Sequence, residues 1–193
     1  MGKTRLMILG AGGHGRSVAE AAELTGVFQV IGFLDDSLPA GERVLGYPLL
    51  GAVESMPLHR EVCDQGIVAI GNNFVREALM KQMVNVGIEL ATVIHPRAFL
   101  SPRALVGHGT AVMAGAIVGT EAQLGVGAIV NCGAVVDHHA QVEDFGHLGV
   151  NACMAGGSVL GRGAWMQAGS SLGYGVSVTA GSILQPGVAL KNC

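Results

Sequence analysis

The chain is poor in charge and in aromatic rings. Of its 193 residues 13% are Asp, Glu, Lys or Arg, the net charge is −3, and aromatics make up 4% with a single Trp. A nucleic-acid binder needs a basic face or a platform of rings on which bases stack, and this inventory supplies neither, so that function class is excluded. Four cysteines, Cys63, Cys132, Cys153 and Cys193, form no CxxC pair and no regular framework. Free thiols in a reducing compartment are expected, not disulfides or a zinc site. Long apolar runs are also missing. Mean hydropathy is +0.49, yet glycines and polar residues cut every apolar stretch short. None reaches the roughly 18 residues that a bilayer-crossing helix needs. The opening Met1-Gly2-Lys3-Thr4-Arg5 leads into four apolar residues and then glycine. That is too short for the core of a secretory signal, and a cytoplasmic location is expected.

What the chain has instead is glycine, 31 residues of it, and a repeat. From Ile94 to Leu190 every sixth residue is aliphatic or Met, 17 in succession, among them Val112, Val130, Leu148, Met166 and Leu184. Four residues after each of the first 16 stands a small or β-branched residue, such as Ala116, Ala134, Ala152 or Ser170. A period of six belongs to neither an α-helix nor a single strand. It is the pattern of a left-handed parallel β-helix of hexapeptide repeats, a triangular prism whose narrow interior takes one bulky and one small side chain per face. Glycine just before the small position, as at Gly115, Gly133 and Gly169, supplies the corner geometry that a Cβ disfavours.

The composition changes near residue 92. Residues 1–92 read as an α/β, Rossmann-like βαβ domain and 93–193 as the β-helix. Leu6 to Leu9 reads as a buried strand, Gly10-Ala11-Gly12-Gly13-His14-Gly15 as a turn, and Arg16 to Leu24 as a helix. A second strand, Phe28 to Phe33, runs to Asp35 and Asp36. A third, Ile67 to Ile70, ends in Gly71-Asn72-Asn73 before a helix from Phe74 to Asn85. Glycines admit a phosphate to the backbone, and a helix N-terminus offers N–H groups to it. About ninety residues are too few for both halves of a dinucleotide fold, which favours a nucleoside diphosphate over NAD. His14 reads as a ligand contact or as a hydrogen bond that steadies the turn. Asp35 and Asp36 read as ribose or base contacts, or as a solvated turn before Ser37 and Pro39.

One coil is three hexapeptides, so residues 18 apart stack at about 4.8 Å. His138 falls at an outward corner with Gly156 directly above it. An exposed imidazole beside a backbone amide is the equipment of acyl transfer, a general base and an oxyanion donor. Asp137 and Glu143 are candidates to orient the ring. His147 lies half a coil away and could join His138 only across a subunit interface, as in a trimer of prisms. The plain alternative for His138 is a surface residue. A second alternative is a zinc ion shared between subunits by His138, His139, His147 and His108, which would make the prism a hydratase.

Taken together, Gly10-Ala11-Gly12-Gly13-His14-Gly15, Phe33-Leu34-Asp35-Asp36, Ala69-Ile70-Gly71-Asn72-Asn73, Ile94-His95-Pro96, Ser101-Pro102, Val130-Asn131, Val136-Asp137-His138 and Ala155-Gly156 resemble one family over nearly the full length. It is the bacterial nucleotide-sugar acetyltransferases that modify bacillosamine- or perosamine-type amino sugars, related to sialic-acid O-acetyltransferases. The resemblance implies acetyl-CoA as co-substrate, no metal, a nucleotide-linked amino sugar as acceptor and a homotrimer. It puts the catalytic base on His138, the oxyanion amide on Gly156, a supporting side chain on Asn131 and a second active-site histidine on His147. His147, Gly156 and Ala168 are the expected CoA contacts, and Gly12, Gly13, His14, Asp35, Asp36, Gly71 and Asn72 the expected nucleotide-sugar contacts. The expected reaction is direct N-acetylation. O-acetylation of a sugar hydroxyl and noncatalytic binding are the alternatives. Two departures stand out. Many members carry an acid immediately after the catalytic histidine, where this chain has His139 and keeps its acid, Asp137, before. The chain also ends at Lys191-Asn192-Cys193, so part of the CoA adenine contact is expected to be missing or supplied otherwise.

Overall fold

The computed structural model describes residues 2–39 and 41–192; Cys193 therefore lies outside the described residues. The chain divides into two units, Met1–Val93 and Ile94–Cys193. Among the described residues no helix is long and apolar enough to cross a membrane.

In the first unit the unbroken apolar run of β1 (Thr4–Leu9) is buried at the centre of a six-stranded sheet, as a strand covered on both faces must be. It pairs in parallel with β2 (Phe28–Leu34) on one side and with β5 (Gln65–Val68) on the other. Helix α1 (Gly13–Leu24) connects β1 to β2, and its buried Val18, Ala19, Ala21 and Ala22 form the apolar side facing the core. Helix α2 (Asn73–Asn85) follows β5 and leads to β6 (Glu89–Leu90), which extends the sheet in parallel. At the other edge lie β3 (Arg43–Val44) and β4 (Tyr47–Gly51), an antiparallel pair whose β4 runs parallel to β2. The strand order is thus β3-β4-β2-β1-β5-β6.

Three details depart from the sequence reading. Helix α1 begins at Gly13, inside the glycine loop, with Gly12 as an N-cap that offers no side chain. The third strand stops at Val68: Ala69 N–H still donates to Leu9 O, and the chain then swings into the Gly71 loop. Strands β3, β4 and β6 had no signal, being short or carrying Pro48. Proline cannot donate to a ladder, and pairing of β4 with β2 begins only at Leu49.

The second unit is built from two-residue strands beginning at Val93–Ile94 and ending at Ala189–Leu190. They form three parallel sheets, two of six strands and one of five, in which each residue pairs with the residue 18 places on, Ala111 with Ile129 and Ile129 with His147. The repeating aliphatic and the small residue four places later fill one continuous core, in which Val118, Ala122, Val130, Ala134, Leu148 and Ala152 are fully buried. From residue 109 to 187 every corner takes a left-handed backbone, ten of them at glycine and four at Glu121, His139, Phe145 and Asn151.

Candidate active site

The first unit carries a cavity of ≈ 480 Å³ at the C-terminal ends of β1, β2 and β5, the usual ligand position of a parallel sheet. Gly12, Gly13, His14, Asp35, Asp36 and Gly71 line it. The glycine spacing has a direct steric cause. Gly10 sits at φ +99°, and a Cβ on Gly15 would collide with the Gly10 carbonyl, so α1 can start this close to β1 only without one. Its first turn holds no acidic side chain, which leaves the amide end of the helix open to an anion.

The polar lining is differentiated. Asp35 braces the loop, accepting from Ala11 N–H at 2.7 Å and from both Ser37 N–H and Ser37 Oγ. Burial pushes its pKa up, but these bonds outweigh that and hold the carboxyl below its ordinary value. Asp36 accepts from Val53 N–H at 2.8 Å. Asn72 turns out to be the N-cap of α2, its Oδ1 accepting from Phe74 N–H and Val75 N–H at 3.1 Å. His14 is held neutral, its pKa lowered to about 4 by burial and, secondarily, by the nearby Arg76 charge. Its Nε2 is buried without a hydrogen-bond partner among the described residues, which is a cost unless a ligand satisfies it.

Arg76 escaped the sequence reading. It is 0% exposed and donates to Ile70 O at 2.9 Å, Gly71 O at 3.3 Å and Asn73 Oδ1 at 2.8 Å, so it pins the loop that forms one wall of the cavity. Burial lowers its pKa to about 10, which leaves it cationic beneath the pocket. Its signal was an arginine on the buried stripe of α2 with Met80 and Met83.

On the prism, His138 and Gly156 are brought together. A Cβ on Gly156 would lie 2.5 Å from His138 Nε2, so only glycine leaves room for the ring. At equivalent corners Val126, Cys132 and His138 give their amides to the side chains of Asp144, Asn131 and Asp137. Ala155 has no such acceptor to offer, and the Gly156 amide finds none among the described residues. One rung further, Tyr174 closes the other side of the gap, its ring centroid 6.5 Å from that of His138. Its signal was again the spacing of 18.

The flanking acids differ in what they do. Asp137 Oδ1 accepts from His138 N–H at 2.7 Å, while its Oδ2 stands 3.7 Å from Nε2, too long for a hydrogen bond. Glu143 sits at the next corner, where its carboxylate accepts from Arg162 N–H. The close partner of the His138 ring is His139, with the two Nδ1 atoms 3.0 Å apart, and His139 Nε2 is in turn 2.9 Å from Glu121 Oε2. Asn131 stands at the preceding corner of the coil and binds the Cys132 amide. His147 lies on another face, 6% exposed and stacked on Trp165 at 5.2 Å between centroids, and Ala168 is exposed at the corner just beyond Trp165. Trp165 Nε1 is buried without a hydrogen-bond partner among the described residues. Within the chain no group of three or more His, Cys, Asp or Glu is arranged to hold a metal, again among the described residues.

A Rossmann-like unit with an open glycine loop, followed along the chain by a hexapeptide β-helix bearing an outward histidine against a glycine, defines a two-unit hexapeptide-repeat protein. Residues 5–83 match the PglD N-terminal domain. The chain is 32% identical over 110 residues to UDP-N-acetylbacillosamine N-acetyltransferase of Bacillus subtilis (strain 168), covering 55% of this chain and 50% of the relative. It thus spans about half the length of that curated relative. Solved structures extend the match. A histidine-to-alanine mutant of GDP-perosamine N-acetyltransferase from Caulobacter crescentus, in complex with CoA and GDP-perosamine, is 34% identical with a TM-score of 0.85, covering 98% of this chain and 91% of that one. The acetyltransferase domain of PglB from Neisseria gonorrhoeae, in complex with acetyl coenzyme A, is 33% identical with a TM-score of 0.79, covering 99% and 97%. The chain belongs to the bacterial nucleotide-sugar N-acetyltransferase family, with the left-handed β-helix that its hexapeptides imply.

Proposed function

We propose that the protein transfers the acetyl group of acetyl-CoA directly to the amino group of a nucleotide-linked amino sugar, with His138 as general base. The observation that carries this reading is the placement of the His138 ring against Gly156, whose amide has no acceptor among the described residues. Residues 1–92 would serve as the nucleotide-sugar domain, with the diphosphate at Gly12 and Gly13 and a polar group of the ligand satisfying His14 Nε2. Residues 93–193 would serve as the acetyltransferase domain.

His138 Nε2 takes the proton as the amine nitrogen attacks the thioester carbonyl and the new C–N bond forms. The Gly156 N–H holds the oxyanion; the C–S bond then breaks, and the thiolate leaves with a proton returned from the imidazolium. Asp137, 3.7 Å from Nε2, stabilises the transient imidazolium, and Asn131 shapes the neighbouring corner. His147, Gly156 and Ala168 would contact CoA. The protein would act as a homotrimer. Outward-facing Phe99 and Ile117, 62% and 43% exposed on adjacent rungs, form an apolar flank suited to burial between prisms.

The test is thiol release from acetyl-CoA with UDP-, dTDP- and GDP-linked 4-amino sugars. Release with one nucleotide sugar, lost in His138→Ala, supports the reading. Equal release by the variant refutes the base assignment.

A further inference from the structure

Glu121 and His139 are two of the four non-glycine residues that hold left-handed backbone at the prism corners, at φ +59° and +57°, where ten other corners use glycine. L-residues are disfavoured there and glycine is not, so these two side chains are kept against the backbone's preference. Such strain points to a job for the side chains. Being 18 apart, they sit on neighbouring rungs of the corner that carries His138.

The job is visible in the hydrogen bonds. Glu121 Oε2 lies 2.9 Å from His139 Nε2, and His139 Nδ1 lies 3.0 Å from His138 Nδ1. A carboxylate only accepts, so His139 carries its proton on Nε2 and offers the lone pair of Nδ1. His138 must then donate through Nδ1–H. Its remaining lone pair is on Nε2, the nitrogen nearest the Gly156 gap.

We propose that Glu121 and His139 are positioning residues that lock His138 in the Nδ1–H form and support its imidazolium through a two-histidine chain. They take the place of an acid beside the base, from one rung below. The inference rests on the assignment of His138 as base. Among the described residues the other titratable groups at the His138 ring are Asp137 and Tyr174, and neither accepts from Nδ1.

The variants are Glu121→Gly, Glu121→Gln, His139→Gly and, as a control for relaxing a corner, Asn151→Gly, with His138→Ala alongside. Each is read by melting temperature and by kcat/KM against pH. Glu121→Gly and His139→Gly should lose on the order of tenfold to a hundredfold in kcat/KM without a lower melting temperature. Asn151→Gly should relax its corner and keep the wild-type rate. Glu121→Gln keeps an acceptor but loses the charge that favours the imidazolium, so the acid limb of its profile should move to lower pH. Wild-type rates and an unshifted profile in the Glu121 and His139 variants, with His138→Ala inactive, overturn the relay alone. A fully active His138→Ala overturns the base assignment and the relay together.

Discussion

Gly156→Ala isolates the geometry of the base. The new Cβ would sit 2.5 Å from His138 Nε2. Ordinary contacts run at about 3.5 Å or more, so the ring must retreat by roughly 1 Å. A misplacement of that size costs on the order of 10²-fold in rate, while the backbone N–H that serves as oxyanion donor stays in place. Stability should respond in the other direction. Gly156 has no positive φ, and the ring it would displace is half-exposed and free to swing outward. Alanine also narrows the unfolded ensemble, worth about 0.4–1 kcal/mol in favour of the fold where the backbone tolerates it. The assay pairs kcat/KM for thiol release with a thermal melt. Expected are a fall of at least about a hundredfold and an unchanged or higher melting temperature. Wild-type turnover, or a loss matched by a lower melting temperature, would refute the reasoning.

His14→Gln should raise KM for the nucleotide sugar and flatten the stability profile in acid. With a folded pKa of about 4 against 6.5 unfolded, the wild type keeps its full stability above pH 6.5 and loses it as pH falls toward 4, by roughly 3 kcal/mol in total. Melts at both ends of that window read it. Arg76→Met leaves the carbonyls of Ile70 and Gly71 short of a buried donor and should cost on the order of 3 kcal/mol in urea unfolding, with weaker nucleotide binding. Leu148→Ala opens a cavity in the prism core and should cost about 2–5 kcal/mol by the same measurement.

The prism was legible because a period of six leaves little freedom. Each aliphatic marks an inward position, and a spacing of 18 converts sequence distance into contact, which is how His138 and Gly156 could be paired. The same arithmetic also stacks Glu121 under His139 and Tyr174 over Gly156, but Glu121 and Tyr174 carry no motif of their own that would single them out. The glycine loop was legible from Gly10, Gly12 and Gly15, whereas the start of α1 was not, since a helix opening on Gly13 contradicts local propensity and is carried by packing. Strands β3, β4 and β6 owe their form to neighbours across the sheet. Asn72 as a cap and Asp35 as a brace follow from where α2 and the glycine loop fall, which composition does not specify.

The most direct test of the central claim is to incubate the protein with acetyl-CoA and the matched 4-amino nucleotide sugar, locate the acetyl group in the product by NMR, and repeat with His138→Ala. One acetyl group on the sugar nitrogen is expected, with a rate lowered on the order of 10²–10⁴-fold in the variant. Acetylation on a hydroxyl, or a variant that acetylates nitrogen at the wild-type rate, would contradict the claim.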